Sequence, residues 1–204
     1  MFTTEYGVAS LSLGQIPYRA VAYIRVRTCQ AHQLSLLVDE CSAFCRAAGA
    51  DHVFWTAADA EDEPHSCVLE MRGRPCVRQD LVESLFPVTQ ETVAQWRQIY
   101  NDRMKNVDHA VYLTAADEKK ILSAAAYFVH HNGELLGIGW LEEDCIRAIA
   151  AVIPGAGERV LHTLLTLAPE ELRLEVASGN HRAIRLYEKS GFVKTQILEK
   201  WYKK

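Results

Sequence analysis

The stretch Leu172–Phe192, LRLEVASGNHRAIRLYEKSGF, constrains the fold more tightly than any other part of this chain. Leu172, Leu174 and Val176 alternate with Arg173, Glu175 and Ala177, the period-two pattern of a half-buried strand. Ser178-Gly179 ends that strand, and Asn180 suits a helix N-cap because its side-chain oxygen can accept from a free backbone N–H one turn on. On the helix that follows, Ala183, Leu186 and Tyr187 share a face with Asn180 by three- and four-residue spacing. Gly191 fits the left-handed position just past a helix, and Phe192 supplies the apolar contact that accompanies such a cap.

The pattern Asn180-x-x-Ala183-x-x-Leu186-Tyr187-x-x-x-Gly191-Phe192 resembles the second signature motif of the GNAT-type N-acetyltransferases, which use acetyl-coenzyme A. The order of elements resembles that fold from about Phe86 to the C-terminus. The resemblance implies an α/β (α+β) architecture, a mixed and mostly antiparallel twisted sheet flanked by helices. It also implies direct transfer of acetyl from acetyl-CoA to a primary amine of a small molecule within a ternary complex. Tyr187 then serves as general acid for the departing thiolate, and Asn180 contacts the cofactor arm. A phenol of pKa about 10 is matched to a thiolate of pKa about 8.5. The bland alternative is a packing tyrosine with a satisfied hydroxyl.

The family also needs a strand that pairs with the pantetheine arm and leads into a helix whose N-terminus holds the pyrophosphate. Cys145–Pro154 reads as that strand, and Gly155-Ala156-Gly157 precedes a helical stretch over Glu158–Leu167. Small residues there let phosphate oxygens reach backbone N–H groups, and the helix dipole adds partial positive charge. Val152-x-Pro154 and Leu164-Leu165 resemble the ends of the family's cofactor motif, whereas Arg159 and Leu161 fall near the positions where it carries glycine. Either the cradle is built by Gly155, Ala156 and Gly157 with Arg159 adding charge from the first helical turn, or the site is degenerate. The resemblance gives Ala151, Val152, Gly155, Ala156, Gly157, Glu158, Arg159, Asn180 and Tyr187 as cofactor-binding residues.

Ala126–Leu141 reads as two strands joined at His131-Asn132-Gly133-Glu134, since Asn-Gly is a strong hairpin signal. Gly137 and Gly139 on the second strand indicate either a close approach of backbone or ligand, or a bulge. His130 and His131 point to opposite faces of a strand, so they do not form one site and no metal is assigned. Glu142 and Glu143, just before the cofactor strand, are candidate general bases for an amine acceptor, although an acidic turn is more often a solvated surface.

Composition narrows the function classes. A net charge of −4 argues against a nucleic-acid partner. No apolar run reaches the ~20 residues needed to span a bilayer, so no membrane partner is expected. The N-terminal segment lacks a basic region followed by an apolar one, and a cytoplasmic location is expected. Cys29, Cys41, Cys45, Cys67, Cys76 and Cys145 include no C-x-x-C pair and read as reduced thiols. Homodimerisation stays open.

Before Phe86, alternation gives a strand at Tyr18–Arg27, and an apolar stripe gives a helix over about Ala31–Ala48 that Gly49 ends. Strands follow at His52–Ala57 and about Ser66–Met71, separated by the acidic loop Ala58–Pro64. This order parallels that of Cys145–Ala177, so residues 1–85 read as a partial acetyltransferase-like copy. The glycine-free junction Thr28-Cys29-Gln30 leaves that half without a cofactor site. Residues 86–204 read as the acetyl-CoA-binding domain, with a single domain bearing an N-terminal extension as the alternative. Phe86-Pro87 breaks the chain, and Thr89 caps a helix running to about Val107. That helix and the segment Asp108–Leu122 would line the acceptor pocket, with Trp96 and Tyr100 in the core. A last strand covers Lys194–Tyr202. Two other functions compete: a non-catalytic ligand-sensing or partner-binding module of the same fold, and a protein N-terminal acetyltransferase.

Overall fold

The computed structural model describes residues 1–58, 60 and 62–204. Of the acidic loop Ala58–Pro64, Asp59 and Glu61 therefore lie outside the described residues. The fold is mixed α/β, with mostly antiparallel strands flanked by helices, and the chain forms two compact units: Met1–Cys67 with Leu198–Lys204, and Val68–Ile197.

In the first unit, strands β1 (Phe2–Thr4) and β2 (Gly7–Ser12) form an antiparallel pair that the sequence reading missed, because their polar, glycine-interrupted segments show no sustained alternation. A single turn, α1 (Ile16–Arg19), leads to β3 (Val21–Cys29), which pairs antiparallel with β2. The expected helix is a short 3-10 turn, Ala31–Gln33, followed by α2 (Leu34–Ala47). It buries Leu37, Cys41 and Cys45 against Ala9, Ala22, Ile24 and Val53. Burial pushes the Cys41 thiol up to about 11 and raises Cys45 as well, so both are inert apolar side chains. Strand β4 (His52–Thr56) runs parallel to β3 and stays registered with it from Val21↔His52 to Arg25↔Thr56.

The second unit has the strand order β11 (Phe192–Lys203), β5 (Ser66–Gly73), β10 (Leu172–Ala177), β9 (Cys145–Ala151), β8 (Glu134–Glu142), β7 (Ala125–His131), β6 (Ser84–Pro87). Only the first part of β11 belongs here; its end at Tyr202 and Lys203 pairs with β4 in the first unit. Phe86-Pro87 is not a chain break: it is the end of β6, an edge strand, where a residue without an N–H is tolerated. The helix expected to start at Thr89 begins one turn later as α3 (Val93–Met104), after a turn in which Val93 N donates to Thr89 O. Trp96 and Tyr100 are in the core, and Trp96 Nε1 donates to Tyr127 O at 3.1 Å. Helix α4 (Glu118–Ser123) lies inside a segment that carried no periodic signal. The hairpin turn falls on Asn132 and Gly133, both with positive φ, as Asn-Gly demands.

Helix α5 (Gly157–Leu165) packs on β8, where a Cβ on Gly137 would sit 2.5 Å from Ala150 O of β9 and 2.7 Å from Val160 Cγ2 of α5. At Gly139 the neighbour is the Leu164 side chain, at 3.0 Å. Gly139 thus serves the approach of a helix, and Gly137 serves both that approach and the close passage of β9. Across α5 runs the loop between β5 and β6. Its Arg78 N donates to His162 Nδ1 at 3.3 Å, its Glu83 N donates to Thr163 Oγ1 at 2.9 Å, and its Glu83 carboxylate pairs with Arg159. No helix among the described residues is long and apolar enough to cross a membrane.

Candidate functional site

The site begins where two parallel strands part company. β10 and β9 are registered only at Arg173↔Cys145 and Leu174↔Ile146, although β9 continues to Ala151 and β10 to Ala177. Against β8, Trp140 pairs with Ala148 and Leu141 with Ile146, so Arg147 is an extra residue that bends β9 where the two strands begin to part. Beyond it, the edge of β9 that faces β10 keeps backbone N–H and C=O groups for another extended chain.

A cavity of about 550 Å³ opens here. Ile149, Ala150 and Ala151 of β9 line it, with Ile153, Pro154, Gly155, Gly157 and Glu158 on the way into α5. Gly155 has φ +88°, a left-handed conformation that brings the chain into the helix with no side chain in the way. Ala156 at the N-cap of α5 offers no side-chain cap, so the first-turn amides have no partner on their own helix. Together with the helix dipole, this makes an amino end suited to an anion. Glu158 in that turn is bound to Arg78 at 3.1 Å, which offsets its charge.

The opposite wall is α6 (His181–Lys189). Asn180 Oδ1 accepts from Ala183 N at 3.2 Å, the expected N-cap bond, and this leaves its Nδ2 hydrogens for a ligand. Gly191 has φ +94°, and Phe192 packs edge-on against Tyr187 with ring centroids 6.0 Å apart. Tyr187 is 8% exposed and lines the cavity, and burial pushes its phenol up to about 12. Arg182, Arg185 and Lys189 line the cavity as well. Sequence reasoning passed over these three, although their spacing on α6 puts them on one face. Arg103, Met104 and Val107, on and just after α3, come from the helix expected to line the acceptor pocket, but their place beside β9 and the amino end of α5 was not foreseen; no local pattern links α3 to a strand that follows it by two hairpins.

Six of the expected cofactor residues thus meet at one cavity: Ala151, Gly155, Gly157, Glu158, Asn180 and Tyr187. Three do not line it. Val152 turns its carbonyl to Arg103, Ala156 packs with Val129, Leu136 and Val160, and Arg159 is held by Glu83. Leu161, near the family's glycine position, is fully buried in the core of this unit.

Glu142 and Glu143 do not line the cavity. Glu142 pairs with Cys145 at the start of β9, whereas the cavity begins at Ile149, roughly 13 Å further along the strand. Glu142 also accepts from Arg147 at 2.6 Å, and that hydrogen bond holds its carboxyl below the usual range, which makes it a poorer base. None of residues 108–122 lines the cavity either. Asn101 pins part of that segment, exchanging hydrogen bonds of 2.8 Å with both the N–H and the carbonyl of Leu113. His131 Nδ1 meets Glu83 at 2.7 Å, whereas His130 packs edge-on against Phe86.

Residues 154–192 match the family model of the acetyltransferase (GNAT) family. No curated protein matches the sequence. Among solved structures, a functionally unknown conserved protein from Staphylococcus epidermidis is similar over 100% of this chain and 92% of its own, with a TM-score of 0.59 and 10% identity. A GCN5-related N-acetyltransferase from Sphaerobacter thermophilus is similar over 96% and 75%, with a TM-score of 0.58 and 11% identity. Another, from Anabaena variabilis, is similar over 89% and 54%, with a TM-score of 0.55 and 12% identity. The matched segment holds the amino end of α5, the strand β10 and the tyrosine helix α6, and over these residues the chain is similar to the GNAT acetyltransferase family.

Proposed function

We propose that the chain is an N-acetyltransferase that takes its acetyl group from acetyl-CoA and delivers it to a primary amine of a small molecule. One observation carries this reading. The parting of β9 from β10 opens a cavity that reaches the uncapped amino end of α5 on one side and Tyr187 on the other. The residues present fit such a donor. The free edge of β9 matches an extended amide-bearing arm, the first-turn amides of α5 match a diphosphate, and Arg182, Arg185 and Lys189 add positive charge.

Bound acetyl-CoA would supply an acyl group already activated as a thioester. The chain's own part is to orient the donor and manage one proton. Asn180 Nδ2 would hold the donor's arm, and Tyr187 would keep its phenolic proton at Oη for the departing sulfur and recover a proton from the acceptor nitrogen, which sheds one on becoming an amide. The same burial that raises the phenol also raises a thiol beside it, so acid and leaving group stay matched. With Glu142 and Glu143 remote, and Glu158 tied to Arg78, the acceptor is taken to enter as the neutral amine. The first unit is assigned no cofactor role. Its strands β3 and β4 stay paired where β9 and β10 separate.

Calorimetry with acetyl-CoA tests the first step; no heat of binding at millimolar ligand would refute it. An acceptor screen that reads thiol release tests the second, and binding without release for any amine would favour a ligand-sensing module. Tyr187→Phe is expected to lower kcat roughly a hundredfold while leaving the dissociation constant for acetyl-CoA within about twofold. An unchanged kcat would remove the acid role.

A further inference from the structure

The charge that the sequence places at the phosphate cradle is absent from it. Arg159 does not line the cavity and is neutralised by Glu83, itself nearly buried and also bonded to His131. The cradle has another cation. Arg103, near the end of α3, reaches across to the loop before α5, and its Nη2 donates to Val152 O at 2.7 Å. That loop carries Gly155 and Gly157 to the amino end of α5, and Arg103 lines the same cavity. A guanidinium holds several N–H donors in a rigid plane, so one bond to a carbonyl restrains the group at the cavity wall and leaves further donors for an anion. Anchored in this way, the side chain gives up little rotamer freedom when an anion arrives.

Resting on the acetyl-CoA reading, we propose that Arg103 is the arginine that binds the donor's diphosphate, from α3, in place of one in the first turn of α5. The position favours the diphosphate over the 3′-phosphate. Arg103 is tied to the loop that builds the helix amino end, whereas Arg182, Arg185 and Lys189 stand on the α6 wall.

The experiment is calorimetry of wild type, Arg103→Ala and Arg103→Lys with CoA and with dephospho-CoA, which lacks the 3′-phosphate, over a range of salt. Arg103→Ala should weaken both ligands equally, by roughly ten- to a hundredfold, with a shallower dependence on salt. Arg103→Lys, which keeps the charge but not the fork, should fall between. Unchanged affinity, a loss confined to CoA, or an equal loss with an unchanged salt slope would each overturn the assignment. Wild type that binds neither ligand would instead overturn the acetyl-CoA reading beneath it.

Discussion

At the scale of single residues, the buried carboxylate of Glu70 shows how one side chain can join two strands. It accepts from Arg72 Nε at 2.7 Å, from Thr195 Oγ1 at 2.9 Å and from Gln196 Nε2 at 3.3 Å, linking β5 to β11. The Arg72 hydrogen bond, followed by that from Thr195, holds its carboxyl at about 2, well below the ordinary 4.5. A depressed carboxyl stabilises the fold fully above its unfolded value, and that contribution fades as pH falls through its folded value. Glu70→Gln should therefore lower Tm by a few degrees at neutral pH, and the difference from wild type should vanish between about pH 4.5 and pH 2 in acid melts. A gap that persisted at pH 2 would locate the effect elsewhere. Glu70 drew no notice in the sequence because its partners on β11 are some 125 residues away. Tyr187 and Asn180 were legible for the opposite reason, since N-cap, small residue, tyrosine and glycine all belong to one helix and its flanking residues.

At the scale of elements, the seat of β8 between β9 and α5 is decided by what Gly137 lacks. A side chain there meets the backbone of β9 at 2.5 Å, which cannot rotate away, and the Val160 side chain of α5 at 2.7 Å. Gly137→Val should destabilise the protein by about 1–3 kcal/mol, read as a lower midpoint in urea, and should weaken donor binding because the proposed anion site lies on α5. Gly133→Ala is a useful contrast, since no atom lies within 4 Å of the added carbon and only the positive φ of that position is strained. The pairing of short-range signals with element identity explains which elements the sequence revealed. β7, β8, β10 and α6 have strong periodicity or turn chemistry. β6 ends in proline, and α4 spans only Glu118–Ser123; each owes its structure to neighbours remote in sequence.

At the scale of the whole molecule, a chain of net charge −4 devotes a cavity to cations: Arg103, Arg182, Arg185 and Lys189 line it against the single carboxylate of Glu158. Attraction of a polyanion to such a site is screened by salt, with a Debye length near 10 Å at 0.1 M. Donor affinity should fall steadily with ionic strength, and replacing Arg182, Arg185 and Lys189 together by Gln should flatten that dependence; a slope unchanged by the triple replacement would place the ligand elsewhere. The family motif gave the cavity its location, but its charge could not be read from the motif, because Arg103 belongs to α3 and Arg159 is diverted by Glu83. The loop between β5 and β6 carries that diversion and is stapled to His162, Thr163 and Arg159 of α5. It is a connector held as firmly as a helix neighbour, so a single proteolytic nick within 74–83 would spare every strand and still release the amino end of α5, costing ligand affinity well before secondary structure.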